Sequence, residues 1–157
     1  MHSNLPVQHL MLVDDDTDAC LLFERALRKV SPQIWFTALH SGEALSDHLP
    51  QSLPELLFLD LTLPGKSGLD CLSELRRHPR FEKMRIVVYS ASVRMSDISE
   101  AYARGADLFI VKPFSQSHLV NALEHVLRMD WKESLRNRYF INNQFVPFTA
   151  VSGAAVA

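Results

Sequence analysis

A chain of 157 residues with 47% apolar side chains is long enough to close one packed core. Its 16 Lys and Arg against 18 Asp and Glu give a formal net charge of −2, which excludes the basic footprint of a protein that binds nucleic acid directly. No apolar run approaches the roughly 20 residues of a membrane helix, and MHSNLPVQHL lacks the basic start and apolar segment of a secretory signal. Cys20 and Cys71 stand far apart without CxxC spacing, so free thiols in a reducing, cytoplasmic compartment are expected.

Short apolar runs alternate with amphipathic stretches along the chain. HLMLV (9–13), IWFTAL (34–39), LLFLDL (56–61), RIVVYS (85–90) and LFIVK (108–112) have strand length and several are rich in Val, Ile and Phe. Between the first two, Ala19, Leu22, Phe23, Ala26, Leu27 and Val30 fall on one helical face, and Leu69, Leu72 and Leu75 recur three apart after the third run. Ser31-Pro32, Pro50, Pro54, Pro64-Gly65, Pro79 and Gly105 punctuate the elements. Strands each followed by a helix predict an α/β fold: a doubly wound, five-stranded parallel sheet over about residues 7–128, because parallel strands require crossover connections.

In such sheets ligands bind beyond the C-terminal ends of the strands. Strand one ends in Asp14, Asp15 and Asp16, strand three in Asp60, strand four in Ser90 and strand five in Lys112, so the polar groups converge on one rim. Carboxylates crowded there disfavour one another's ionisation unless a cation joins them. An all-oxygen donor set selects Mg²⁺ over zinc or copper, and Lys112 adds a fixed positive charge. An ionised Asp is also a nucleophile toward phosphoryl groups, and Asp60, alone on its strand, is the candidate. Asp16 is expected to cap the first helix.

LMLVDDD, FLDLTLPGKSGLD, VVYSAS and GADLFIVKPF, in this order and spacing, resemble the receiver domain of two-component response regulators in the single-domain, CheY-like style, with a flavodoxin-like (βα)5 fold. The resemblance covers about residues 8–128. It implies a stand-alone switch rather than a metabolic enzyme, catalysing its own phosphorylation and dephosphorylation. Asp60 is implied to accept a phosphoryl group from a histidine kinase or phosphotransfer protein. Mg²⁺ is implied on Asp14, Asp15, Asp60 and the backbone carbonyl of Thr62. Lys112 is implied to pair with the phosphoryl oxygens, across a cis peptide to Pro113. Ser90 and Phe109 match the switch hydroxyl and switch aromatic, whose movement would alter the face of helix four, strand five and helix five. That face is implied for an unidentified downstream protein, and for a homodimer. Thr62 and Ser92 match positions that tune phosphoryl hydrolysis across that family, while Asp107-Leu108 departs from the Asp-Asp common in its DNA-binding members.

A haloacid dehalogenase-type phosphohydrolase also forms an aspartyl phosphate, but takes its further acidic metal ligands from later strands, whereas here the acidic pair precedes Asp60. A flavodoxin-type module would carry a Ser/Thr/Gly-rich first loop in place of DDDTDA.

Residues 129–157 form a C-terminal extension, expected to be ordered to about 148 and flexible beyond. DWKE at 130–133 predicts a second helix, or the fifth helix continues, since Leu119, Leu123, Leu127, Trp131 and Leu135 recur every fourth residue. Trp131, Tyr139, Phe140, Phe145 and Phe148 are costly to leave in water and are expected to pack on the preceding domain or on a second copy of it.

Overall fold

A computed structural model describes residues 6–131 and 137–148. The chain runs β1 (His9–Val13), α1 (Thr17–Val30), β2 (Trp35–Leu39), α2 (Gly42–His48), β3 (Leu56–Leu59), α3 (Gly68–Arg77), a 3-10 turn (Pro79–Phe81), β4 (Arg85–Ser90), α4 (Met95–Ala103), β5 (Leu108–Val111), α5 (Gln116–Arg128), β6 (Arg138–Ile141) and β7 (Gln144–Pro147). One sheet holds all seven strands in the order β2-β1-β3-β4-β5-β6-β7. The first five pair in parallel, as the alternating pattern predicts, and the order reverses between β1 and β3.

Alternate residues of each central strand enter opposite layers, which is why the strands are apolar throughout. Leu10 and Leu12, Leu56 and Phe58, Val87 and Tyr89, and Leu108 and Ile110 join α1 and α5. Met11 and Val13, Leu57 and Leu59, Ile86 and Val88, and Phe109 and Val111 join α2, α3 and α4. Cys20 and Cys71 are buried free thiols in these two opposite layers. No described helix is long and apolar enough to cross a membrane.

Four helices begin on a side chain that accepts from the first turn: Asp16, Ser41, Ser67 and Ser115. The exception is α4, whose N-cap Arg94 makes no such bond. Asp107 ties three elements instead of forming a second acidic position: its carboxylate pairs with Arg76 and Arg85 and accepts from the Ile86 N–H.

The five parallel strands expected are all present, and the extension adds two more at the edge of the same sheet. α5 does not continue: it stops at Arg128, where Met129 turns extended at φ −64° and ψ 145°. The segment DWKE runs into residues 132–136, which lie outside the described residues, as does the tail from 149. The hairpin that follows turns on Asn142 and Asn143, both at positive φ (49° and 67°), a conformation Asn tolerates and a tight right-twisted hairpin requires. β6 lies parallel to β5, with Phe140 opposite Ile110, and antiparallel to β7. Phe140 is buried beside α5, Phe145 and Trp131 pack on the same layer, and Tyr139 and Phe148 pack on the other.

Tyr102 of α4 bridges β5 to β6. Its hydroxyl accepts from the Phe109 N–H at 3.0 Å and donates to the Arg138 carbonyl, and its ring meets Phe148 at 5.7 Å. Tyr102→Phe is expected to cost about 1–3 kcal/mol in urea unfolding, because the buried Phe109 N–H loses its acceptor. An unchanged midpoint would show that the β5–β6 junction closes without this bridge.

Candidate functional site

Three strand ends use the same local device. Asp14 Oδ1 accepts from the Asp16 N–H at 3.0 Å, Asp60 Oδ1 from the Thr62 N–H at 3.0 Å, and Ser90 Oγ from the Ser92 N–H at 3.1 Å. Each side chain folds back on the amide two residues later, an Asx or Ser/Thr turn. The remaining carboxylate oxygens therefore face the cleft. Gly68 allows the β3–α3 loop to close against this rim, since a Cβ there would stand 2.0 Å from the Asp60 carbonyl oxygen.

Lys112 Nζ lies 2.7 Å from Asp14 Oδ2 and 2.9 Å from Asp60 Oδ2, and 5.5 Å from the centre of the Tyr89 ring. The peptide to Pro113 is trans, as are all described peptide bonds, so the expected cis linkage is corrected. Lys112 reaches both carboxylates from an ordinary strand end.

Burial pushes the Asp60 carboxyl above its usual range, although hydrogen bonds from Lys112 and the Thr62 amide oppose the shift. Burial alone would lower Lys112, but its hydrogen bonds to Asp14 and Asp60 outweigh that and hold the ammonium above its ordinary value. Burial outweighs the opposing hydrogen bonds at Asp60, whereas at Lys112 two carboxylates together outweigh burial. Burial, reinforced by Asp14, pushes the neighbouring Cys20 thiol up to about 11, which removes it as a thiolate nucleophile near neutral pH.

Asp14 and Asp60 are buried and Asp15 is exposed, yet one carboxylate oxygen of each lies within 4.8 Å of the others. Three hard oxygen donors at that spacing fit a divalent cation with open positions left for water or substrate. A cleft of about 610 Å³ surrounds them, lined also by Thr62, Ser90, Ser92, Arg94, Asp97 and Lys112. Phe109 does not line the cleft; it is fully buried beneath α4, opposite Val88 in the β4–β5 pairing. Arg94 and Asp97 come to the rim at the N-cap and first turn of α4, where no sequence period marks a cleft residue.

Asp16 is parted from Asp14 and Asp15 by role. Its carboxylate accepts from the Asp18 and Ala19 amides as the α1 cap. Asp16→Ala should therefore cost about 1 kcal/mol of stability by urea unfolding. A midpoint equal to the parent's would show that the two amides are satisfied without this carboxylate.

A family model described as the response regulator receiver domain matches residues 10–124. The chain is 37% identical over 87 residues to the phosphate regulon transcriptional regulatory protein PhoB of Rhizobium meliloti (strain 1021), covering 55% of this chain and 38% of PhoB. It is 28% identical over 119 residues to the chemotaxis protein CheY of Thermotoga maritima, covering 76% of this chain and 97% of CheY. The phosphorylated cyanobacterial phytochrome response regulator RcpA superposes with a TM-score of 0.71 at 26% identity, over 76% of this chain and 90% of RcpA. The chain thus spans well under half of PhoB and nearly all of CheY. Strand-end carboxylates, a bridging lysine and a doubly wound sheet meet here under a family match that covers most of the sequence, and the chain belongs to the response regulator receiver domain family.

Proposed function

We propose that this chain is a phosphoacceptor switch in which Asp60 takes a phosphoryl group from a phosphohistidine of a histidine kinase or phosphotransfer protein in the cytoplasm. The observation that carries the reading is Lys112 bridging Asp14 and Asp60 at the bottom of an open cleft, with Asp15 within reach of both carboxylates. Asp14, Asp15, Asp60 and the Thr62 carbonyl are the proposed ligands of Mg²⁺, which when bound supplies positive charge against the phosphoryl oxygens. Receiver domains are signalling switches, and that family match favours this reading over the phosphohydrolase and flavodoxin alternatives.

In the proposed cycle Asp60 Oδ2, now on Lys112, attacks phosphorus; the bond from phosphorus to the donor breaks and the donor leaves with the electron pair. Lys112 then turns from a carboxylate partner into a partner of the phosphoryl oxygens. The Ser90 hydroxyl, 2% exposed at the adjacent strand end, moves toward the new charge and opens space for Phe109. The reading face of α4, β5 and α5 then changes for a downstream protein or a second copy, and a partner at β5 also meets the β6–β7 hairpin. Incubation with acetyl phosphate and Mg²⁺, followed by intact mass measurement, tests the reading. One added phosphoryl group is expected, and none when a chelator is added before the acetyl phosphate; no incorporation with Mg²⁺ present overturns it.

A further inference from the structure

Arg94 is the one rim cation whose place the proposed reaction leaves unexplained among the described residues that line the cleft. Its side chain is 77% exposed, and its Nε and Nη2 pair with Asp97 at 3.1 and 3.4 Å. Ser92 fixes this arrangement. Its hydroxyl donates to Asp97 Oδ2 and accepts from the Arg94 N–H, while its own N–H donates to Ser90 Oγ. The Arg94 backbone and the Asp97 carboxylate are thereby tethered to the strand end that carries Ser90, while the guanidinium itself is held by Asp97.

Lys112 sits at the inner side of the cleft against Asp14 and Asp60, whereas Arg94 stands on the β4–α4 loop at its solvent side. Asp60 is 5% exposed, so a donor enters from solvent with phosphorus toward Asp60 and its leaving group toward the mouth of the cleft, where Arg94 is the exposed cation of the lining. Transfer is in line, and the negative charge that develops on the leaving group depends on the donor. An acyl phosphate releases a carboxylate: Asp60 Oδ2 bonds to phosphorus, the bond from phosphorus to the acyl oxygen breaks, and that oxygen departs with the electron pair and needs no proton. A phosphoramidate or phosphohistidine, protonated on nitrogen, releases a neutral amine or imidazole.

A guanidinium fork matches a departing carboxylate and offers nothing to a neutral nitrogen. An exposed pair three residues apart in sequence holds weakly, so Arg94 can leave Asp97 for an incoming anion. We infer that Arg94 is a donor-selecting residue of this cleft that receives the leaving carboxylate of small acyl phosphates. The inference rests on the reading of Asp60 as the phosphoacceptor.

The test compares initial rates of phosphorylation of the full chain, its Arg94→Ala and its Arg94→Lys variants, with acetyl phosphate and with phosphoramidate at fixed Mg²⁺. Arg94→Ala is expected to slow acetyl phosphate about tenfold, below the effect of a buried oxyanion donor because the site is wet, and phosphoramidate less than about twofold. The contrast should persist at about 0.5 M salt, where steering by charge alone is screened. Arg94→Lys should recover part of the acetyl phosphate rate. Equal loss with both donors, no loss with either, or a contrast that vanishes in salt overturns the inference while leaving Asp60 as the acceptor. Failure of the parent to label with either donor overturns the reading of Asp60 and the inference together.

Discussion

Asp60→Asn is expected to abolish phosphoryl incorporation from acetyl phosphate, to below about one hundredth of the parent rate, while the protein stays folded. The amide keeps the shape of the carboxylate and an acceptor for the Thr62 N–H at 3.0 Å, but it is neutral and a poor nucleophile toward phosphorus. The stability effect runs the other way. Because burial raises the Asp60 carboxyl above its ordinary value of 3.8, the fold binds that proton more tightly than the unfolded chain. Asp60 therefore favours folding at acid pH and progressively opposes it as pH rises from 3.8 through the higher folded value. Without divalent cation, the parent should lose ground to Asp60→Asn over that window and remain behind it at neutral pH. Urea midpoints across pH check the sign, and intact mass checks the chemistry. Full labelling of Asp60→Asn would move the acceptor elsewhere; a variant less stable than the parent at neutral pH would mean that Lys112 outweighs burial at this carboxylate.

The rim was legible in the sequence because a parallel sheet turns strand ends into a list of cleft residues. Once LMLV, LLFL and LFIV are read as buried strands, Asp14, Asp60 and Lys112 must emerge on the same edge, and the structure brings them within hydrogen-bonding distance. The separate role of Asp16 was legible for a different reason, since an Asp directly before an amphipathic run is a cap. What escaped depended on geometry that sequence period does not encode. The leucine spacing through Trp131 favoured a longer α5, but Met129 leaves the helical region and the chain returns as β6. RYFI-NN-QFVP does carry a hairpin signal, a two-residue turn of Asn between aromatic runs, which the stronger four-residue period obscured. Arg94 and Tyr102 are found only once α4 is seen to bring one to the cleft and the other to the β5–β6 junction.

Lys112→Ala is the substitution expected to damage both stability and chemistry. Its ammonium is the shared partner of two buried carboxylates, at 2.7 and 2.9 Å, with only 22% of its side chain exposed. Removing one member of a buried charged set leaves the others uncompensated, which costs about 3 kcal/mol at neutral pH without divalent cation. Millimolar Mg²⁺ should return part of that loss, because a cation held by Asp14, Asp15 and Asp60 relieves the same repulsion. Lys112 itself gives a base-side signature. Its hydrogen bonds to Asp14 and Asp60 raise its folded value above 10.5, so its contribution is complete below 10.5 and is lost as pH rises through the folded value. The variant should lack that alkaline loss and should instead be restored by acid, as protonation of Asp60 removes the repulsion. Transfer from acetyl phosphate should slow by about a hundredfold even at saturating Mg²⁺, since the phosphoryl oxygens lose a fixed cation. A variant restored by Mg²⁺ in stability and in rate alike would make Lys112 a stand-in for the metal rather than an independent partner of the phosphoryl group.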